Sequence, residues 1–114
     1  MRHYDELATY DRGGFLVVVD KTWEDISPRD LFEAEDAPEI MRRIDDGTYE
    51  WFMMRVRVLC DGHELASEYL GGMCYENAHD CLTDGTAEDI IDVAMVEARR
   101  EAQRLHAKLA EFVV

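Results

Sequence analysis

The sequence predicts an α+β fold: a single domain over residues 1–114, with a small antiparallel sheet of three to four strands and a long C-terminal helix packed on one face. Period-two segments around an Asp-Gly pair predict the sheet, and a long apolar stripe at helical spacing predicts the helix. Short helices are expected after strand 1. Because 114 residues supply one modest core, the expected radius of gyration is roughly 13 Å.

The first predicted strand runs from about Phe15 to Thr22, where β-branched and aromatic residues follow a Gly-Gly breaker. From Tyr49 onward the apolar residues alternate, which predicts a second strand with one buried face. The alternating residues are Phe52, Met54, Val56, Val58 and Cys60.

A hairpin is predicted at Asp61-Gly62, because both central residues of a type I′ turn need positive φ. A two-residue turn would pair Cys60 with His63 and continue without a shift. The further predicted pairs are Val58 with Leu65, Val56 with Ser67, Met54 with Tyr69, Arg57 with Ala66 and Arg55 with Glu68. This register places Glu64 and Glu68 on one face of the return strand. The Gly-Gly pair at residues 71–72 is expected to interrupt or bulge this strand before "MCY".

Short helices are predicted between the first two strands. "SPRD" supplies Ser27 as the N-cap, a proline at the first helical position and an acid that completes a capping box. Pro38 disfavours helical geometry at the residue before it, which splits this region into a short helix and a second one between Asp36 and Gly47.

The long C-terminal helix is the clearest predicted element. "ENAHDCLTDG" first predicts one short helical turn ending at Gly85, and Thr86 with Asp89 then forms a second capping box. An apolar stripe at helical spacing follows. It consists of Ile91, Ala94, Met95, Ala98, Ala102, Leu105, Leu109 and Phe112.

The charge distribution excludes nucleic acid as a direct ligand. Asp and Glu number 26 against 12 Lys and Arg, for a net charge of −14, whereas phosphates are bound by bases. Between Arg57 and Arg99 there is no Lys or Arg, and we call residues 58–98 the acidic stretch. Its acids are Asp61, Glu64, Glu68, Glu76, Asp80, Asp84, Glu88, Asp89, Asp92 and Glu97. The last sixteen residues are net positive.

Cysteine and histidine suggest metal binding or nucleophilic catalysis, but their context disfavours both. A structural zinc site needs four ligands, usually supplied by two closely spaced pairs. Cys60-x-x-His63 is one such pair, but Cys74, His79 and Cys81 do not provide a second pair with matching spacing. Acidic surroundings raise the pKa of a thiol, and no phosphate-binding loop follows a strand. We therefore expect no enzyme, cofactor or metal, and keep a small Cys/His metal-binding protein as an alternative.

"ELASEYLGGMCYENAHDCLTDG" resembles a stretch of small acidic proteins carried by phages, plasmids and integrated elements, with "YLGG" followed by "CY". "GGFLVVVDKTWEDISPRD" and "YEWFMMRVRVLCDG" are similar to the same kind of protein. In character the chain is also similar to anti-CRISPR and anti-restriction proteins, which are short, acidic and single-domain. That resemblance implies an inhibitor from a mobile element, and it transfers no functional positions.

The predicted function is an anti-defence inhibitor that mimics DNA on a basic nucleic-acid-binding host protein, such as a CRISPR effector subunit. The predicted contact residues are Glu64, Glu68, Glu76, Asp80, Asp84, Glu88, Asp89 and Asp92. The N-terminus lacks the apolar run of a signal peptide, so we expect a host-cytoplasmic protein with no membrane partner. A further alternative is a homo-oligomeric module, including a homodimer, associating through exposed Tyr49, Trp51 and Met53.

Overall fold

The computed structural model describes residues 2–113 and contains one antiparallel sheet with strand order β1-β2-β3-β4. Helices α1 and α2 connect β2 to β3, and a 3₁₀ helix connects β4 to α3. The bounds are β1 Asp5–Arg12, β2 Phe15–Trp23, α1 Pro28–Leu31, α2 Ala37–Asp45, β3 Glu50–Cys60, β4 His63–Tyr75, the 3₁₀ helix Ala78–Leu82, and α3 Thr86–Ala110. The predicted α+β class is confirmed.

The strand predicted to come first is the second strand of the sheet. The sequence pattern did not reveal β1, because charged and apolar residues mix along it, as is common for an edge strand with one solvent-exposed face. Gly13 and Gly14 form the tight turn between β1 and β2, with φ values of 62° and 90°. Positive φ at both central residues of a hairpin turn matches the right-handed twist of the strands. The two glycines, predicted only to precede a strand, therefore form the hairpin turn that joins β1 to β2.

The core lies between the sheet and α3. Met54, Val56 and Val58 of β3 are fully buried, as the alternating pattern predicted. The apolar stripe of α3 covers them, and its small residues Ala94 and Ala98 let the helix axis approach the sheet closely. α3 packs across β3 and β4 on one face of the sheet. The opposite face, which we call the uncovered face, has the segment around α1 against Trp51 and Gly72 at one end.

The predicted pairing of β3 with β4 holds for one pair and then fails. Cys60 pairs with His63, but Leu65 is an extra residue that forms a β-bulge. The five further predicted pairs, Val58 with Leu65, Val56 with Ser67, Met54 with Tyr69, Arg57 with Ala66 and Arg55 with Glu68, are therefore wrong. The observed partners are Ala66, Glu68, Leu70, Ser67 and Tyr69, each one residue further along β4.

A second bulge lies at the Gly71-Gly72 pair, as predicted, and β4 continues through it to Tyr75. Gly72 has a φ of 68°, and a Cβ atom there would lie 2.9 Å from the Leu31 side chain of α1. The positive φ favours glycine at this position, and the flexible end of the Leu31 side chain would have to move to admit a larger residue.

The helix caps follow the predictions in part. The Ser27 hydroxyl accepts a hydrogen bond from the Arg29 backbone N–H at 3.3 Å, which confirms that cap. The capping box predicted at Thr86 and Asp89 is wrong, because Gly85 is the N-cap of α3 and makes no side-chain cap. The Thr86 hydroxyl instead lies 3.2 Å from the Tyr75 hydroxyl, which ties the start of α3 to the end of β4.

The molecule is longer than its chain length predicts. Its radius of gyration is 17.4 Å and its principal extents are 64 × 27 × 23 Å. The stripe of α3 is buried as far as Ala98, but Leu109 and Phe112 further along it are 59% and 72% exposed. The size relation assumes a compact body, and here the end of one helix projects from it.

The uncovered face of the sheet carries a buried ion pair. Arg55 donates two hydrogen bonds, of 2.9 and 2.6 Å, to the carboxylate of Asp20, which is 3% exposed. The Arg55 guanidinium also lies 3.5 Å from the centre of the Tyr4 ring, and Arg57 approaches Asp20 at 3.8 Å. Because of the bulge, Tyr69 lies opposite Arg55 in place of the predicted Glu68. The acidic partner of Arg55 is instead Asp20 of β2.

We expect Asp20→Asn to lower the free energy of unfolding by about 2–3 kcal/mol, because it leaves the Arg55 charge half-buried without a counter-charge. Urea titration followed by circular dichroism measures this change. Asp45→Asn removes an exposed carboxylate from α2 and is the matched control, with a change within about 0.5 kcal/mol. Equal effects of the two substitutions would show that the ion pair contributes nothing to stability.

Candidate protein-binding site

The acidic stretch begins at the end of β3 and includes β4, the 3₁₀ helix and the first half of α3. Two of its acids, Glu64 and Glu68, lie on β4. The other six predicted contact residues follow within seventeen positions of the chain, on the 3₁₀ helix, the loops beside it and the first turns of α3. They are Glu76, Asp80, Asp84, Glu88, Asp89 and Asp92.

The prediction that Glu64 and Glu68 share one face is wrong. Glu64 pairs with Leu59, and Glu68 pairs with Val56, whose side chain points into the core below α3. Directly paired residues point to the same side of a sheet, and Leu59 and Val56 point to opposite sides. The bulge at Leu65 therefore separates the two carboxylates, and only Glu64 is exposed on the uncovered face.

Glu88 has a partner from outside the acidic stretch. Both carboxylate oxygens of Glu88 accept hydrogen bonds from the Arg12 guanidinium of β1, at 2.9 and 3.1 Å. These bonds lower the pKa of Glu88 below its ordinary value. Arg12 is 76 positions away in the chain, so no local sequence pattern could have revealed that this acid is neutralised.

Asp84 holds the loop that leads into α3. Its carboxylate accepts hydrogen bonds from the Tyr75 hydroxyl and from the Thr86 backbone N–H, the latter at 2.9 Å. These two donors lower the pKa of Asp84. The residue stays exposed and charged, so it both positions the helix start and adds to the local negative potential.

Six acids of the stretch have exposed carboxylates for which residues 2–113 provide no hydrogen bond or ion pair: Asp61 and Glu64 near the β3–β4 turn, and four more on or near the 3₁₀ helix and α3. We call Glu76, Asp80, Asp89 and Asp92 the outward carboxylates. Glu76 and Asp80 lie at and beside the 3₁₀ helix. Asp89 and Asp92 are three positions apart on α3 and are therefore neighbours on one helix face. Each pair is free to take a cationic partner from outside the chain.

The cysteines lie far apart in the fold. Cys60 is beside the β3–β4 turn, whereas Cys74 pairs with Trp51 near the opposite end of β4. Cys81 is fully buried with its sulfur 3.9 Å from that of Met54, and burial raises the pKa of its thiol to about 11. Over residues 2–113, no three His, Cys, Asp or Glu side chains are grouped so that they could hold a metal ion.

The side chains predicted as an exposed interface, Tyr49, Trp51 and Met53, are less exposed than expected. All three side chains are half-buried. The Trp51 indole donates a hydrogen bond to the Ile26 carbonyl at 2.9 Å, and its ring centre lies 5.8 Å from that of Phe32. The segment after β2 thus lies over β3 at Trp51, and all three residues keep part of their accessible surface.

No protein family matches this chain, and neither does any curated protein or solved structure. Between residues 2 and 113, no helix is both long and apolar enough to cross a membrane. What the geometry defines is an α+β protein with a meandering four-stranded sheet, one long helix and a set of exposed carboxylates beside that helix.

The Arg12–Glu88 pair should make stability depend on acid pH. Since the pKa of Glu88 is lowered in the folded state, the stabilisation is present above its ordinary value of 4.5 and is lost as the pH falls through the folded value. A double-mutant cycle with Arg12→Gln and Glu88→Gln isolates the pair. Both side chains are partly exposed, so we expect a coupling of no more than about 1 kcal/mol at neutral pH.

Urea unfolding of the four proteins of this cycle, repeated at decreasing pH, measures the coupling. It should shrink towards zero once the pH is well below 4.5. A coupling that stays constant across this range would mean that the Glu88 charge contributes nothing to the contact.

Proposed function

We propose that this protein is a protein-binding inhibitor from a mobile genetic element, which occupies the nucleic-acid-binding surface of a basic host defence protein and blocks access to DNA. The observation that carries the proposal is the acidic stretch: ten acids without a Lys or Arg, of which six are exposed and unpaired within residues 2–113, including the four outward carboxylates. A CRISPR effector subunit is the partner we expect. The protein acts by binding, in the host cytoplasm, without catalysis or a cofactor.

The carboxylates suit this role by their density. Duplex DNA carries one charge per about 1.7 Å of its axis, so the four outward carboxylates match the charge of about 7 Å of duplex. Asp89 and Asp92 are separated by about 4.5 Å along the axis of α3, compared with a rise of about 3.4 Å between phosphates of one strand. A groove lined by Lys and Arg for phosphates would find acceptors at similar intervals on this surface.

The outward carboxylates are the contacts we favour among the predicted residues. Asp84 adds to their potential, whereas Glu88 is already held by Arg12. Glu64 and Glu68 lie on opposite faces of β4 and cannot join one flat contact surface with each other. Long-range attraction should speed association and make it sensitive to salt, because exposed charges are screened over about 10 Å at 0.1 M ionic strength.

Reversing three outward carboxylates tests the proposal. We expect Glu76→Lys with Asp80→Lys and Asp92→Lys to reduce binding at least tenfold, because three attractive contacts become repulsive. The assay is competition: purified DNA-binding CRISPR effectors are incubated with a labelled duplex, and the protein is titrated to measure displacement of the DNA. The wild-type protein should displace it, and less effectively as salt is raised.

A matched variant separates the surface from the total charge. Glu33→Lys with Glu35→Lys and Asp45→Lys reverses three exposed acids around α1 and α2. Three reversals of two charges each take the net charge from −14 to −8 in both variants. The second variant should still displace DNA. Equal losses in the two would show that only net charge matters, and a wild-type protein that displaces DNA from none of the effectors would refute the proposed partner class.

A further inference from the structure

The end of α3 extends beyond the body of the protein without any cover. The helix has 25 residues, and its last buried side chain is Ala98. The following twelve helical residues span about 18 Å. Leu109 and Phe112 are 59% and 72% exposed at this end, and no element of residues 2–113 packs against them.

The spacing of the exposed apolar residues is that of a coiled coil. The stripe of α3 continues past the sheet in alternating steps of three and four residues, the pattern of positions a and d in a heptad. This run is Met95, Ala98, Ala102, Leu105, Leu109 and Phe112. The sheet covers the first two, Ala102 and Leu105 are half-buried, and Leu109 and Phe112 are exposed, so the exposure of this apolar run increases towards the end of the helix.

Charge selects a second copy of this chain as the partner of this helix end. Residues 99–114 contain four Lys or Arg and two Glu, a net charge of +2, so the rest of the protein carries −16. An antiparallel pair of α3 ends would place both basic ends between the two acidic bodies. A parallel pair would put the two bodies side by side with nothing to offset their repulsion.

We propose that two copies associate through the projecting ends of α3, paired antiparallel about a two-fold axis. Leu105 of each copy then faces Leu109 of the other, and Ala102 lies near Phe112, which is in the turn that follows α3. A two-fold contact closes on itself and forms no fibre. The seam between the two helices is only about 15 Å long, so association is weak and concentration-dependent.

Sedimentation equilibrium of the full chain over a concentration series tests the association. The mass should rise from 13.2 kDa towards twice that value. Leu109→Glu with Phe112→Glu should remain monomeric at every concentration, because it buries charge in the seam. Leu16→Glu with Leu31→Glu changes two exposed leucines outside α3 and should associate like the wild type. A wild-type monomer throughout, or a dimer unaffected by the first variant, would overturn the inference.

Cross-linking tests the orientation. In a Cys60→Ser background, a tagged Leu105→Cys protein is mixed with an untagged Leu109→Cys protein under mild oxidation. Antiparallel pairing predicts a disulfide between the two variants and little within either alone. Cross-links within each variant alone would show parallel pairing and would overturn the proposal. The residues changed in these tests are not among the outward carboxylates, so the two proposals can fail independently.

Discussion

The whole structure depends on the contact between one face of β3 and the first half of α3. Met54, Val56 and Val58 are fully buried there, and Ile91 and Ala94 close over them. The short helices α1 and α2 bury little, so the contact of the sheet with the one long helix supplies most of the buried apolar surface. The position of α3 on this contact then determines where its acids face solvent and where its end leaves the body.

Sequence patterns predicted the elements that carry this contact. β3 alternates strictly, and α3 repeats at helical spacing, so each shows its buried face directly. β1 shows no such alternation, because its side chains contact the core only in part and one of its faces is exposed to solvent. The predicted register of β4 was consistent with its residues but wrong, since Leu65 and Ala66 are both apolar and either can lie opposite Val58. The bulge has no mark in the sequence.

The candidate site was predictable in its charge but not in its geometry. The absence of Lys and Arg over residues 58–98 can be read from the sequence. Which acids remain available depends on tertiary contacts: Arg12 reaches Glu88 from the opposite edge of the sheet, and Tyr75 binds Asp84. The projecting helix end also escaped prediction, because a stripe that continues past the body has the same spacing as one that is buried.

The two bulged strands, β1 and β4, are also the two edges of the sheet. An edge strand exposes unpaired backbone N–H and C=O groups and can recruit a strand from another molecule, which leads to aggregation. Irregular pairing at Leu7, Leu65 and Gly71 bends these edges, and Glu6 and Glu64 add charge beside them. Both edges are thereby poor templates for strand addition. The fold can thus carry its exposed apolar side chains on a helix end without offering the sheet as a route to amyloid-like stacking.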